Sequence, residues 1–92
     1  MEINNDFFTK LIFDISNVKF NRKLLKAYNV QEVDQFLDDL SKEILDNNAD
    51  FTFKLKNLEY LISKKKFSSS FSGYDIKEVD EFLDSLIKRI QV

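Results

Sequence analysis

An internal duplication constrains the fold of this chain more than any other feature of its sequence. Residues 28–44 read again as residues 74–90, 46 positions further along the 92-residue chain. Ten of the seventeen aligned positions are identical, where typical residue frequencies would give about one or two by chance. With one residue deleted from the second copy, the match continues upstream, where residues 15–20 align with 62–67. The chain is therefore expected to fold as two copies of one supersecondary unit.

The second half of each copy has the apolar spacing of an amphipathic helix. The stripe consists of Val33, Phe36, Leu37, Leu40 and Ile44 in one copy, and of Val79, Phe82, Leu83, Leu86, Ile87 and Ile90 in the other. Asn29 followed by Glu32 fits a capping box, in which the carboxylate bonds back to the cap. Asp75 and Glu78 repeat this arrangement. Helices are therefore predicted to start just after Asn29 and Asp75.

The upstream parts of the two copies predict a shorter helix and a loop in each. Apolar residues at 6–14 and 53–61 favour helices, whereas 17–27 and 64–73 are too polar for strands and are expected to be loops. A brief linker is expected around residues 47–52. The predicted fold is all-α: two short-helix/loop/long-helix units, about 6–47 and 53–92, form a pseudo-twofold four-helix bundle within one domain spanning 1–92.

Composition excludes several classes of function. His and Cys are both absent, which removes the usual nucleophile–base pairs, disulfides and zinc sites, so the chain is expected to be no enzyme and to hold no cofactor or metal. A net charge of −2 argues against nucleic acid as a partner. No apolar run approaches the roughly 20 residues that span a bilayer, which predicts a cytoplasmic protein.

The string from Gly73 to Asp84, GYDIKEVDEFLD, preceded by Phe67 and Phe71, resembles the N-terminal domain of the DivIVA/GpsB family. The first copy resembles it more loosely, through Phe20, Leu25 and the residues 28–38. The resemblance implies a bacterial scaffold of cell division or envelope growth. Such proteins are dimers that dock to membranes or to tails of membrane enzymes, and a long coiled coil follows the domain. Here the long helices are short and the domain is duplicated, so the tandem is expected to be a monomeric pseudo-dimer or a homodimer.

Two carboxylates, four residues apart on each long helix, form the first candidate site. In the GpsB branch, the tyrosine and two aspartates that match this pattern receive an arginine from a partner's cytoplasmic tail. The resemblance therefore implies a partner-binding set in each copy, Tyr28, Asp34 and Asp38 in one, and Tyr74, Asp80 and Asp84 in the other. The alternative is that these acids form a solvated helix face near the positive end of the helix dipole.

The two loops form the second candidate site because they combine basic and apolar side chains. An anionic membrane surface attracts such a segment by about 1 kcal/mol per Lys or Arg. The candidate membrane-contact residues are Phe20, Lys23, Leu25, Lys26, Lys65, Lys66, Phe67 and Phe71. DivIVA itself has a Phe-Arg pair before the Gly-Tyr, and the arginine is missing from both copies here. The alternative is that Phe20 and Phe67 are core residues and the lysines confer solubility.

These observations predict a non-enzymatic adaptor that docks Arg-containing cytoplasmic tails of membrane proteins, or division proteins, and contacts the membrane. It is expected to be cytoplasmic and peripheral at the inner face of the cell membrane or at the division site. A purely structural oligomerisation domain, self-associating through its helices, is the alternative, and mass in solution distinguishes the two.

Overall fold

The chain folds into four helices and two short strands, and each copy of the repeat supplies a helix, a strand and a second helix. A computed structural model describes residues 2–46 and 50–91. In chain order the elements are α1 (Glu2–Asn17), β1 (Arg22–Tyr28), α2 (Val30–Leu45), α3 (Phe51–Lys64), β2 (Ser69–Tyr74) and α4 (Ile76–Ile90). Residues 47–49 of the predicted linker lie outside the described residues, and α3 already begins at its far end.

The predicted starts of the two long helices are confirmed. Asn29 is the N-cap of α2, and its side chain accepts a hydrogen bond of 2.9 Å from the backbone N–H of Glu32. Asp75 caps α4 and accepts from the backbone N–H of Lys77 at 2.9 Å and of Glu78 at 3.4 Å. Each cap satisfies donors that the first helical turn leaves without intrahelical partners.

The core is built from equivalent positions of the two copies. All four helices contribute, because the apolar stripe of each faces the others. The buried side chains are Leu11, Ile15, Val33, Phe36, Leu40, Ile44, Leu58, Ile62, Val79, Leu83, Leu86 and Ile90. Full burial of one such side chain is worth about 1.5–3 kcal/mol. One copy alone has only half of this set, so its helices depend on the other copy for burial.

The predicted all-α bundle is wrong, because the two segments expected to be loops pair with each other as a two-stranded sheet. Partner numbers fall along β2 as they rise along β1, from Arg22 opposite Tyr74 to Tyr28 opposite Ser69, so this ladder is antiparallel. The register is irregular along the ladder. Tyr28 is also paired with Tyr74, with the two backbones running parallel, at the point where the strand ends cross. Each polar segment satisfies its backbone through the other one, and no pattern within a single segment reveals that partner.

The two strands cross at a pair of small residues that occupy equivalent repeat positions, Ala27 and Gly73. Ala27 is fully buried. A Cβ atom added at Gly73 would lie 2.0 Å from the carbonyl oxygen of Tyr28 and 3.4 Å from the Cβ of Ala27. Beyond the crossing, the N–H of Asn29 donates to the carbonyl of Ser68 at 3.1 Å, and the N–H of Asp75 to that of Asn21 at 2.9 Å.

A buried lysine fixes the connection between the two copies. Lys54 on α3 is 6% exposed, and its ammonium donates a 2.7 Å hydrogen bond to the carbonyl of Ile44 near the end of α2. The same ammonium lies 5.0 Å from the ring centroid of Phe8. A cation at the negative end of a helix is favourable, and the ring replaces part of the lost hydration.

We predict that Gly73→Ala strongly destabilises the protein, because its new methyl group must displace the backbone carbonyl of Tyr28. The expected loss is at least about 2–3 kcal/mol in the free energy of unfolding, measured by urea denaturation. Ser72→Ala, at the neighbouring exposed position, is the matched control and is expected to change stability by less than about 0.5 kcal/mol. Equal stability of the two variants would contradict the crossing.

Candidate functional site

Each tyrosine at the end of a strand bonds to an aspartate of the other copy. The phenol of Tyr28 donates to Oδ1 of Asp80 at 2.8 Å, and the phenol of Tyr74 donates to Oδ1 of Asp34 at 2.8 Å. The sequence placed each tyrosine with the aspartates of its own copy. The structure exchanges these partners, because the strands cross before the chain enters α2 and α4.

The carboxylates at the helix starts are exchanged in the same way, so the predicted capping box is confirmed for the cap oxygens and wrong for the glutamates. Glu32 accepts from the backbone N–H of Ser68 at 2.8 Å instead of bonding back to its cap. Glu78 accepts from the backbone N–H of Asn21 at 2.7 Å and from its side-chain amide at 2.8 Å. The Ser68 backbone bond is the main cause that lowers the pKa of Glu32. The start of each long helix is thereby bonded to the residue just before the strand of the other copy.

The two tyrosines remain hydrogen-bond donors at neutral pH. Burial, reinforced by the bond to Asp80, raises the pKa of Tyr28 to about 12. Burial and the bond to Asp34 likewise raise the pKa of Tyr74. Arg22 partly opposes this rise, and its guanidinium carbon lies 5.5 Å from the centroid of the Tyr74 ring.

Phe20 and Phe67, which were candidate membrane contacts, pack behind these tyrosines against the core. The Phe67 ring lies 5.1 Å from that of Tyr28, and the Phe20 ring lies 5.3 Å from that of Tyr74, measured between centroids. Both phenylalanines are partly buried. They position the phenols, and such edge and tilted ring contacts are worth about 0.5–1.5 kcal/mol each.

A groove beside α4 brings together three of the predicted partner-binding residues. This α4 groove has a volume of about 460 Å³ and is lined by Tyr28, Ile62, Lys65, Phe67, Asp80, Glu81, Leu83, Asp84 and Ile87. The lining combines apolar side chains with one lysine and three carboxylates, those of Asp80, Glu81 and Asp84. The sequence reasoning missed the apolar lining, although the helical stripe that includes Leu83 and Ile87 was the signal for it.

The equivalent groove beside α2 is smaller, with a volume of about 360 Å³. This α2 groove is lined by Ile15, Ser16, Val18, Asp34, Leu37, Asp38 and Ser41. Tyr74 reaches it through its hydrogen bond to Asp34. The two grooves therefore reproduce the internal repeat on the surface, although only the α4 groove is lined by a tyrosine of the other copy.

The outer aspartate of each groove is exposed and weakly paired, whereas the inner one accepts a hydrogen bond from a tyrosine. Asp38 pairs with Lys42, and Asp84 with Lys88, each at 3.1 Å and one helical turn apart. The carboxylate side chains are 56% and 61% exposed. Exposed pairs of this kind contribute only about 0.3–0.5 kcal/mol, so a better cationic partner can replace the lysine.

The remaining membrane candidates lie in or just before the two strands. The irregular stretches of the strands around Leu25 and Phe71 are called the strand turns below. Leu25 and Phe71 are 68% and 70% exposed, and Leu24, which the prediction omitted, is 67% exposed. Leu25 also has a φ of 78°, a conformation uncommon for its residue type. Lys26 and Lys66 are exposed, and Lys23 lies 3.9 Å from the carboxylate of Asp75.

Lys65 differs from the other candidate lysines, because its ammonium lies over aromatic rings. It is 5.6 Å from the centroid of Phe36 and 5.5 Å from that of Phe67. This side chain is therefore part of the lining of the α4 groove and lies apart from the exposed apolar residues of the strands.

Comparison of the chain with family models, curated proteins and solved structures found no match. None of the described helices is long and apolar enough to cross a bilayer. Within residues 2–46 and 50–91, no group of three or more acidic side chains is arranged to hold a metal ion.

We predict that the burial of Tyr28, together with its bond to Asp80, makes stability fall at alkaline pH. The folded state raises the pKa of Tyr28 from 10.0 to about 12, so its contribution is complete below pH 10 and is lost as the pH rises towards 12. Tyr28→Phe should cost about 1 kcal/mol at pH 8 and show a smaller decrease between pH 10 and 12. Urea denaturation across this range measures both, and parallel pH profiles for the two proteins would disprove the assignment.

Proposed function

We propose that this chain is a non-enzymatic docking module whose grooves bind cationic tails of partner proteins. The observation that carries the proposal is the α4 groove, which is lined by the Tyr28 phenol, the carboxylates of Asp80 and Asp84, and apolar side chains. A guanidinium makes bidentate, charge-assisted hydrogen bonds to carboxylates, and its alkyl stem packs on apolar surface. An arginine in an otherwise flexible tail is the ligand that fits this combination.

The α4 groove has free acceptor capacity for such a ligand. Oδ1 of Asp80 accepts from Tyr28, whereas its second oxygen has no hydrogen-bond partner within the described residues. Asp84 contributes a second carboxylate, which among the described residues is paired with the exposed Lys88. The resemblance to the DivIVA/GpsB family supports an arginine site made of a tyrosine and two aspartates, the residue types that the α4 groove brings together. It also supports partners among the membrane and cell-division proteins of bacteria.

The alternative of a purely structural oligomerisation domain has less support. The contacts that would join two chains in a dimer are made here between two copies in one chain, including both Tyr–Asp bonds and the strand pairing. The tandem therefore completes its own core without a second chain. A monomeric mass in solution at micromolar concentration is the result that favours the docking module.

Membrane contact is a second candidate function, and the exposure of the strand turns favours it. Leu24, Leu25 and Phe71 are about two-thirds exposed, and basic side chains of β1 flank them. Apolar side chains at such a position insert between lipid headgroups while the lysines meet anionic lipid. A module with both activities would hold a membrane protein's tail next to the bilayer.

We predict that Asp84→Ala weakens tail binding at least tenfold without unfolding the protein. Its carboxylate lies in the α4 groove, and within the part of the chain that the structure describes its one ion pair is with the exposed Lys88. Fluorescence anisotropy with a labelled Arg-containing peptide measures the affinity, and a tenfold loss corresponds to about 1.4 kcal/mol. Asp39→Ala makes the same charge change outside both grooves and serves as the control. Equal affinity of the two variants would refute the proposed site.

We predict that Leu25→Ser/Phe71→Ser reduces binding to vesicles that contain anionic lipid, because it removes apolar groups from the strand turns. Co-sedimentation with phosphatidylserine-containing vesicles should fall several-fold, whereas binding to pure phosphatidylcholine should be weak for every variant. Phe53→Ser is the control, because it removes a ring of similar exposure near the start of α3. If the control reduces binding equally, the strand turns are not the contact.

A further inference from the structure

The two grooves share two aspartates but differ in several residues around them. An isoleucine also lines both grooves, as the repeat requires, and a tyrosine of the other copy bonds to the inner aspartate of each. At one wall position the α4 groove has Ile87, whereas the α2 groove has Ser41. At another, the acidic Glu81 lines the α4 groove, whereas the equivalent Gln35 donates its amide to Asp39 at 2.9 Å.

The two tyrosines also differ in the charge beside them. The guanidinium of Arg22 lies over the Tyr74 ring, next to the phenol that serves the α2 groove. The equivalent residue in the second copy is Ser69, and among the described residues no arginine lies over the Tyr28 ring. The α4 groove, however, is itself lined by Lys65, at the position where the α2 groove has Val18. With three carboxylates and one lysine in the α4 lining and two carboxylates in the α2 lining, the lining side chains of each groove carry a net charge of −2, and the apolar wall at Ile87 is the difference that favours a mixed ligand.

From these differences we infer that the two grooves are not equivalent: the α4 groove selects a peptide in which an arginine is accompanied by an apolar side chain, and it binds that peptide more tightly than the α2 groove does. This inference rests on the proposed function and adds the ligand's second recognition element. The arginine contacts Asp80 and Asp84, and the apolar side chain covers Ile87.

The geometry of α4 sets the spacing of the two recognition elements. Asp84 and Ile87 are three residues apart, which is about 4.5 Å along the helix axis at 1.5 Å per residue. A helical ligand with side chains at positions i and i+4 places them on one face, about 6.0 Å apart along its axis. An Ala-rich peptide with arginine and leucine four residues apart therefore spans the carboxylates and the apolar wall.

The test is a titration of the full chain with this peptide, in which the NMR shifts of backbone amides in α2 and α4 report binding at each groove. A second peptide, with serine in place of leucine, is the matched ligand control. Wild type is expected to show shifts in α4 at low peptide concentration and in α2 only at about tenfold higher concentration. The leucine peptide should bind the α4 groove about tenfold more tightly than the serine peptide, as expected for burial of one aliphatic side chain.

Two reciprocal variants identify the wall residue. Ile87→Ser should remove the preference for leucine, and Ser41→Ile should create that preference in the α2 groove. The second variant keeps the test valid if the first one unfolds. Equal affinities of both grooves, or a Ser41→Ile groove with no preference for leucine, would overturn this inference alone. No shift in either groove with either peptide would overturn the proposed function as well.

Discussion

Two backbones cross at Ala27 and Gly73 with no room for another side-chain atom, and the rest of the structure depends on this contact. Because the strands cross, each copy of the repeat delivers its tyrosine to an aspartate on the other copy's helix. The helix starts are anchored by the same exchange, through Glu32 and Glu78. The crossing thus joins two units, each with half a core, into one cooperative domain.

The same contact links the fold to the proposed function. Each groove lies between two helices of one copy, but the phenol that bonds its inner aspartate comes from the other copy. An intact pair of repeats is therefore required for either site. The inner aspartates have a structural role as hydrogen-bond acceptors, whereas the outer ones, Asp38 and Asp84, form weak, exposed ion pairs with Lys42 and Lys88. Stability and binding are consequently separable at the outer positions and coupled at the inner ones.

Local patterns in the sequence predicted the helices correctly, since apolar periodicity and N-caps act within a few residues. The strands were missed because their stability comes from pairing between segments more than 40 residues apart, and neither segment is apolar. The exchange of partners was also beyond the sequence. Both copies carry the same tyrosine, aspartate and glutamate, so a bond within a copy and a bond between copies have identical sequence signatures. Small residues at equivalent positions, Ala27 and Gly73, were the one available sign of the crossing.

Native-state hydrogen exchange at Asn29 and Asp75 tests the crossing most directly. Their amides donate to carbonyls of the opposite copy, at Ser68 and Asn21. If the crossing holds the two copies together, both amides exchange only through global unfolding, with the same protection as the amide of the core residue Leu40. Rapid exchange at Asn29 and Asp75 while Leu40 stays protected would mean that the helices pack without the crossed strands, and would contradict the account.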